Sequence, residues 1–339
     1  FYTPEIVVDF MFRLLLVHKN QQNGRWNGSN GKQKFPSVID PAAGEGVFLK
    51  KAVQSGFTDA KHIFGIDLDK EAVEKWKTIH LLNDVFKGDE QELKRHFFHQ
   101  NGLLPVKWEQ HKEHYKGLKK ADIENEKFDA VVGNPPYGGI GIDFTIDFNS
   151  SESMELLHTL QNFEIIRYKK FGAPSQRKKS YSPEFDFAAE PLENYNVQLS
   201  LSEIAKQAQS MPVEVLFIER FIQLAKPGGW VAMIIPDGIL SNSQLNYARS
   251  FISAQCYVRA IVSLPRETFK NSGTNAKTSI LLLEKKKDVS DMNYNYRVFL
   301  SSVFENKSKR NDFEKPFQFV SKQYQSFITK EILCPEEKI

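Results

Sequence analysis

The stretch Phe128-Asp129-Ala130-Val131-Val132-Gly133-Asn134-Pro135-Pro136-Tyr137-Gly138 decides how the rest of the chain is read. Its apolar run at 130–132 suits a central parallel strand, buried on both faces. Two consecutive prolines stop that strand, since each lacks an N–H donor and fixes φ. Pro135 is driven toward extended geometry by the proline that follows it. The Pro135 carbonyl and the Asn134 side-chain carbonyl then converge as two acceptors on one spot. An exocyclic amine has two hydrogens to give to such a pair, and Tyr137 offers a flat face for the ring that carries it. Taken alone, Asn-Pro-Pro-Tyr also reads as a proline turn with a tyrosine lid, so its neighbours decide.

Upstream, Ser37-Val38-Ile39-Asp40-Pro41-Ala42-Ala43-Gly44-Glu45-Gly46-Val47-Phe48-Leu49 leads a short apolar strand into a turn of small residues. A helix follows, as far as about Gly56, a residue suited to C′. Small residues let a ligand approach the backbone, and a helix N-terminus holds an anion. A dinucleotide loop wants glycine at its first, third and sixth positions, and counting from Gly44 the sixth is Leu49. Next, His62-Ile63-Phe64-Gly65-Ile66-Asp67-Leu68-Asp69 reads as a second strand ending in acid. Asp67, about twenty residues past the glycines, is placed to accept from both hydroxyls of a ribose. Asp69 reads as a helix N-cap. Ile79-His80-Leu81-Leu82-Asn83-Asp84 is predicted as the third strand, with Asp89 a rival to Asp84 for its acidic end.

Ahead of all this, Phe1-Tyr2-Thr3-Pro4-Glu5 opens a helix: Thr3 suits the N-cap, Pro4 the first helical position, and Glu5 complements the dipole. Ile6, Val7, Phe10, Met11, Leu14 and Leu15 recur at helical spacing. A first residue of Phe1, not methionine, points to further sequence before it.

The 339 residues suggest two units or one elaborated α/β unit. With 41% hydrophobic and 26% charged residues the composition is that of an ordinary globular chain. A net charge of only +3 means that a nucleic-acid surface has to be a local patch. Cys256 and Cys334 lie far apart, without ligand spacing, and are expected to be free thiols in a reducing, cytoplasmic setting. The apolar opening at 6–17 is too short to span a bilayer and is broken by Asp9 and Arg13, so no membrane association is expected.

Residues 87–127 are polar, predicted as helix and loop, and their His96, His99, His111 and His114 read as solvated side chains with no metal site. Residues 138–210 form a long excursion. Within it Arg167, Tyr168, Lys169, Lys170, Phe171, Arg177, Lys178, Lys179 and Tyr181 mix bases and aromatics. Such mixing suits phosphate contact with stacking, and equally a solvated loop. A helix at 213–225 then stops at Lys226-Pro227-Gly228-Gly229, and strands are predicted at 230–235, 257–264, 278–284 and 297–300.

Several of these segments carry a resemblance. Asn134-Pro135-Pro136-Tyr137 resembles the catalytic motif of S-adenosylmethionine-dependent methyltransferases that act on planar nitrogens. Asp40-Pro41-Ala42-Ala43-Gly44-Glu45-Gly46 resembles their cofactor loop, with Ala43 and Glu45 departing from the commoner Cys or Ser and Thr. The order of Tyr2-Thr3-Pro4, this loop, Asp67 and Asn134 is similar to that of the γ-class N6-adenine DNA methyltransferases, above all the modification subunits of type I restriction systems. Leu264-Pro265, Phe269, Gly273-Thr274 and Lys277-Thr278-Ser279-Ile280-Leu281 strengthen that likeness.

The resemblance implies a doubly wound, Rossmann-like sheet of seven strands with an antiparallel last strand. It implies a methyltransferase domain at 1–285, with insertions at about 87–127 and 138–210, and a peripheral extension at 286–339. It implies S-adenosylmethionine as cofactor, held by Tyr2, Thr3, Pro4, Asp40, Ala42, Gly44, Gly46, Asp67, Leu68, Asp84, Val85 and Asn134. Catalysis falls to Asn134, Pro135, Pro136 and Tyr137, with Phe269 closing on a flipped adenine. Double-stranded DNA and a separate specificity subunit are the implied partners, because only about fifty-five residues follow the last expected strand and a base-reading module is commonly larger. N5-glutamine protein methyltransferases and guanine-N2 RNA methyltransferases are the alternatives that share the motif; the glutamine enzymes typically lack the leading Thr-Pro helix and the Phe269-type loop. A non-catalytic DNA-binding or assembly subunit keeping the same fold is the alternative of another class.

Overall fold

The computed structural model describes residues 3–21, 35–76, 95–105, 125–137, 151–172, 198–272, 276–291, 296–304 and 314–333. Eight strands form one sheet: β1 (Val38–Asp40), β2 (Ile63–Asp67), β3 (Phe97–His99), β4 (Phe128–Gly133), β5 (Ala225–Pro236), β6 (Cys256–Ser263), β7 (Thr278–Lys285) and β8 (Phe299–Ser302). Their order is β3-β2-β1-β4-β5-β7-β6-β8. The first five are parallel, and β7 runs antiparallel to both of its neighbours, β5 and β6. The doubly wound α/β class and the antiparallel seventh strand are as the sequence implied. An eighth strand, parallel to β6, extends the sheet at its edge.

Period-two alternation divides the strands between two cores. Ile39, Val131 and Met233 face a layer built by α4 (Ser151–Leu160), α5 (Glu164–Phe171), α6 (Leu201–Gln209), α7 (Val213–Leu224) and α9 (Asn246–Gln255), with the short α8 (Gly238–Ser241) between the last two. Val38, Ala130, Val132 and Ala232 face the other core, built by α1 (Glu5–Gln21), α2 (Val47–Gln54), α3 (Lys70–Trp76) and α10 (Glu314–Leu333). Strand β4 is buried along its whole length, as a central strand requires.

Helix α7 passes directly into β5, and the predicted stop at 226–229 is instead a bulge. Phe128 pairs with Ala225 and Ala130 with Trp230, so one residue of β4 faces four of β5. At Gly229 a Cβ would stand 2.9 Å from the Phe128 carbonyl oxygen, which is why the turn needs a glycine. The Lys226 ammonium meets the buried Asp129 carboxylate there, and Asp129 also accepts from the Ser37 backbone at 2.9 Å.

Three readings change. The strand beside β2 is Phe97–His99, inside the stretch read as insertion, whereas the predicted third strand at 79–84 lies outside the described residues. His96 is not solvated: it is buried, its Nδ1 is 2.8 Å from the Ile63 carbonyl oxygen, and its ring stacks on Phe64. His99 is exposed, and His111 and His114 lie outside the described residues. The basic-aromatic run is in part internal support. Tyr168 is buried edge-on to Phe251, Lys169 donates to the Gln207 carbonyl oxygen at 2.7 Å, and Lys170 pairs with Glu203. Arg177, Lys178, Lys179 and Tyr181 lie outside the described residues.

Past residue 286, β8 pairs with β6 at the sheet edge and α10 packs back onto α1. Phe317 lies 4.8 Å from Phe10, and Tyr324 is fully buried with its hydroxyl 2.5 Å from His18 Nε2. Cys256 is buried, which pushes its thiol up to about 12, and Cys334 lies outside the described residues. Among the described residues no helix is long and apolar enough to cross a membrane.

Candidate active site

Strand order reverses between β1 and β4, so a crevice opens at the carboxyl ends of the parallel strands. A cavity of about 790 Å³ occupies it. Its walls come from Thr3 before α1, Pro41 to Glu45 after β1, Asp67 to Asp69 after β2, Asn101 to Leu103 after β3, and Asn134 and Pro136 after β4. The size is that of a cofactor or ligand site.

The glycine loop is shaped for a ligand. Gly44 and Gly46 sit at φ 52° and 78°, a region that glycine enters without strain. A Cβ at Gly44 would meet nothing within 4 Å, so the backbone there is open to the cavity. Asp67 binds the loop from below: its Oδ2 accepts from Gly44 N at 2.6 Å and its Oδ1 from Asp69 N at 2.8 Å. Each oxygen keeps a lone pair, enough to accept from two vicinal hydroxyls. Leu68 stands 68% exposed at the cavity wall, an apolar side chain that burial does not explain. Glu45, one of the two departures from the family's pattern, pairs with Lys75 at the mouth.

Asp40 behaves differently from expectation. It is fully buried and does not line the cavity; its Oδ1 accepts from Ala42 N at 3.0 Å. Burial holds its carboxyl well above the usual carboxylate range, the Ala42 N–H opposes this, and the charge of Asp67 adds to it. Gly133 lies so close that a Cβ would come within 2.5 Å of Asp40 Oδ1. Asp40 therefore props the junction of β1 and β4 from beneath.

At the end of β4, Asn134 Nδ2 donates to Thr3 Oγ1 at 3.1 Å. The Asn134 Oδ1 is buried with no hydrogen-bond partner of acceptable geometry. Asn134 lines the cavity, and a buried acceptor left unpaired at its edge is costly unless a ligand donor meets it. Tyr137 is only 6% exposed, and burial pushes its hydroxyl's pKa up. Phe269 is 0% exposed, within the core that α1 covers, and does not line the cavity. The two aromatic faces expected to flank a base are thus both turned into the protein. Tyr2, Asp84, Val85, Gly273 and Thr274 lie outside the described residues.

Four residues that the sequence did not single out complete the site. Asn101 and Leu103 wall it from the turn after β3, and Leu156 does so from α4, inside the supposed insertion. Trp76 anchors the glycine loop, its Nε1 donating to the Gly44 carbonyl oxygen at 2.8 Å. The polar pair Asn101-Gly102 was legible as a turn, but nothing local marked it as following a strand of three residues.

Strand order, glycine loop, the acid at the end of β2 and the asparagine after β4 define the class I S-adenosylmethionine-dependent methyltransferase fold, and the residues present fit that cofactor. Within it, comparison with known proteins bears out the γ-class N6-adenine methyltransferase resemblance. Residues 186–332 match the family model described as N-6 DNA Methylase, and residues 61–159 that of the Eco57I restriction-modification methylase. The chain is 25% identical over 237 residues to the type II restriction enzyme and methyltransferase RM.Eco57I of Escherichia coli, a match covering 66% of this chain and 19% of that protein.

Solved structures share the fold. The methyltransferase subunit of a type I restriction-modification system from Streptococcus thermophilus superposes with a TM-score of 0.53 at 16% identity, covering 96% of this chain and 53% of that one. DrdV, solved as a complex with DNA, gives 0.53 at 15% identity, covering 95% and 29%. The chain thus spans about a fifth of the curated relative and about half and somewhat under a third of these two structures' lengths.

Proposed function

We propose that this chain methylates the N6 amine of adenine in double-stranded DNA as the catalytic part of a restriction-modification system. The observation that carries the reading is the unpaired, buried Oδ1 of Asn134, a residue that lines the cavity together with Asp67 and the glycine loop. S-adenosylmethionine, when bound, supplies an activated sulfonium methyl, so the protein has only to position the amine and accept its N–H bonds. Asn134 Oδ1 and the Pro135 carbonyl accept those hydrogens, which raises the availability of the nitrogen lone pair. Asp67 takes the ribose hydroxyls, the backbone about Gly44 takes the methionyl end, and Leu68 covers the adenine of the cofactor.

Reaching the amine requires the target base to leave the duplex, at a cost of a few kcal/mol. Tyr137, adjoining Asn134, supplies the stacking face once it turns from its buried position. Phe269 is held too deep in the core to share that task. Choice of DNA sequence falls to a specificity subunit or to sequence beyond these residues.

The test is transfer of label from methyl-labelled S-adenosylmethionine to DNA, with hydrolysis to identify N6-methyladenine. Asn134→Ala should lose transfer while retaining cofactor binding by calorimetry. Full transfer by that variant would sink the catalytic assignment. Failure of the wild-type chain to bind the cofactor would favour a non-catalytic subunit.

A further inference from the structure

The turn that follows β3 walls the cavity yet has no regular structure of its own, and one buried side chain holds it. Arg220, on α7, is 3% exposed. Its Nε donates to the Gly102 carbonyl oxygen at 3.0 Å, its Nη2 to that of Leu104 at 3.0 Å, and its Nη1 to Asn125 Oδ1 at 2.9 Å. Burial lowers its pKa to about 10, which leaves it charged at neutral pH. One planar fork thus joins the turn after β3 to the residues leading into β4, a geometry that an ammonium cannot reproduce.

The turn in its turn bears on the glycine loop. A Cβ at Gly102 would stand 1.8 Å from the Pro41 carbonyl oxygen, so the two backbones are in direct contact. Asn101 Oδ1 accepts from Leu103 N at 3.0 Å, which keeps the turn rigid, and Asn101, Gly102 and Leu103 all line the cavity. Arg220 itself does not line it. Because β3 lies beyond β2 and on the far side of β1 from Asn134, this turn meets the end of a ligand remote from the reacting atom.

We propose that Arg220 is a positioning residue for the cofactor: acting through Asn101 and Leu103, it sets the affinity for the adenosine half and leaves the methyl-transfer step untouched. The proposal rests on the methyltransferase reading above. A misplaced wall weakens binding without altering groups at the reacting centre, so affinity and rate separate.

The experiment compares wild type, Arg220→Met and Arg220→Lys by calorimetric titration with S-adenosylmethionine and by transfer kinetics at saturating cofactor. Phe317→Ala, in the α1–α10 contact away from the cavity, serves as a control for general loss of stability. The dissociation constant should rise about tenfold in Arg220→Met and about threefold in Arg220→Lys, the scale of lost charged hydrogen bonds. The kcat should stay within about twofold, since no group at the reacting centre is altered. Should Arg220→Met fail to fold, Arg220→Lys carries the comparison alone. Unchanged affinity in folded Arg220 variants overturns the proposal, as does a fall in kcat at saturating cofactor. Equal weakening in Phe317→Ala at a matched loss of melting temperature also overturns it. Wild-type protein that binds no cofactor overturns the methyltransferase reading itself, a result distinct from all of these.

Discussion

Thr3 and Asn134 are 131 residues apart, and the hydroxyl of one holds the side-chain amide of the other at 3.1 Å. That bond directs Nδ2 toward the start of α1, and Oδ1 is left buried and without a hydrogen-bond partner. Thr3→Val keeps the shape but removes the acceptor, and the amide is then free to turn over. Methyl transfer at saturating cofactor should fall about threefold to tenfold, the worth of one neutral hydrogen bond. Thr3→Ser should restore most of it. Single-turnover rates give the answer, and equal rates for Thr3→Val and wild type would remove Thr3 from this role.

Asp67 accepts from Gly44 N and Asp69 N while facing the cavity. Asp67→Asn places an amide where one of those N–H groups or a ribose hydroxyl must be accepted. Cofactor affinity is expected to drop by about ten- to a hundredfold, since a charged acceptor contributes about 1.5–3 kcal/mol. Calorimetry measures it directly. Wild-type affinity in Asp67→Asn would place the ribose elsewhere.

Gly102 has no room for a side chain, because the obstacle is the Pro41 backbone itself. Gly102→Ala should cost on the order of 1–3 kcal/mol of stability by forcing the two loops apart. Chemical denaturation reports this loss, and cofactor affinity should fall with it. A variant as stable as wild type would show that the loops separate freely.

His18 is buried between α1 and α10, stacked on Trp230 at 3.9 Å, and desolvation, with the nearby Arg259 charge, lowers its pKa to about 3. The unfolded chain binds that proton near pH 6.5, so below this the unfolded state holds more protons and stability falls with pH. The loss continues until about pH 3, where the folded form protonates as well. The limiting slope from this one group is about 1.4 kcal/mol per pH unit. His18→Phe keeps the stacking and removes the proton, so its stability between pH 6 and 4 should fall less steeply than that of wild type. Parallel curves from urea unfolding across that range would contradict the assignment.

Much of the fold was legible because its signals are local. The glycine loop, the acid two residues from Asp69 and the asparagine ahead of two prolines each lie within a few positions of the strand that presents them. The alternation of Val38 and Ile39, or of Ala130, Val131 and Val132, is enough to mark strands buried on both faces. By itself the sequence therefore determined the class of sheet and the placing of Asp67 and Asn134 at the carboxyl ends of β2 and β4.

What it did not determine depends on partners distant along the chain. A strand of three residues such as Phe97–His99 carries no periodicity to read, and only its pairing with β2 reveals it. An aromatic in a loop looks the same whether it faces a ligand or the core, and Phe269 is buried in the cluster that also contains residues of α1, α2 and α10. Arg220 reads as a polar break in an apolar helix until Gly102, Leu104 and Asn125 converge on it. Backbone pattern is written in neighbouring residues, whereas burial and hydrogen-bond satisfaction are settled by whichever segments packing brings together, and that only the tertiary structure decided.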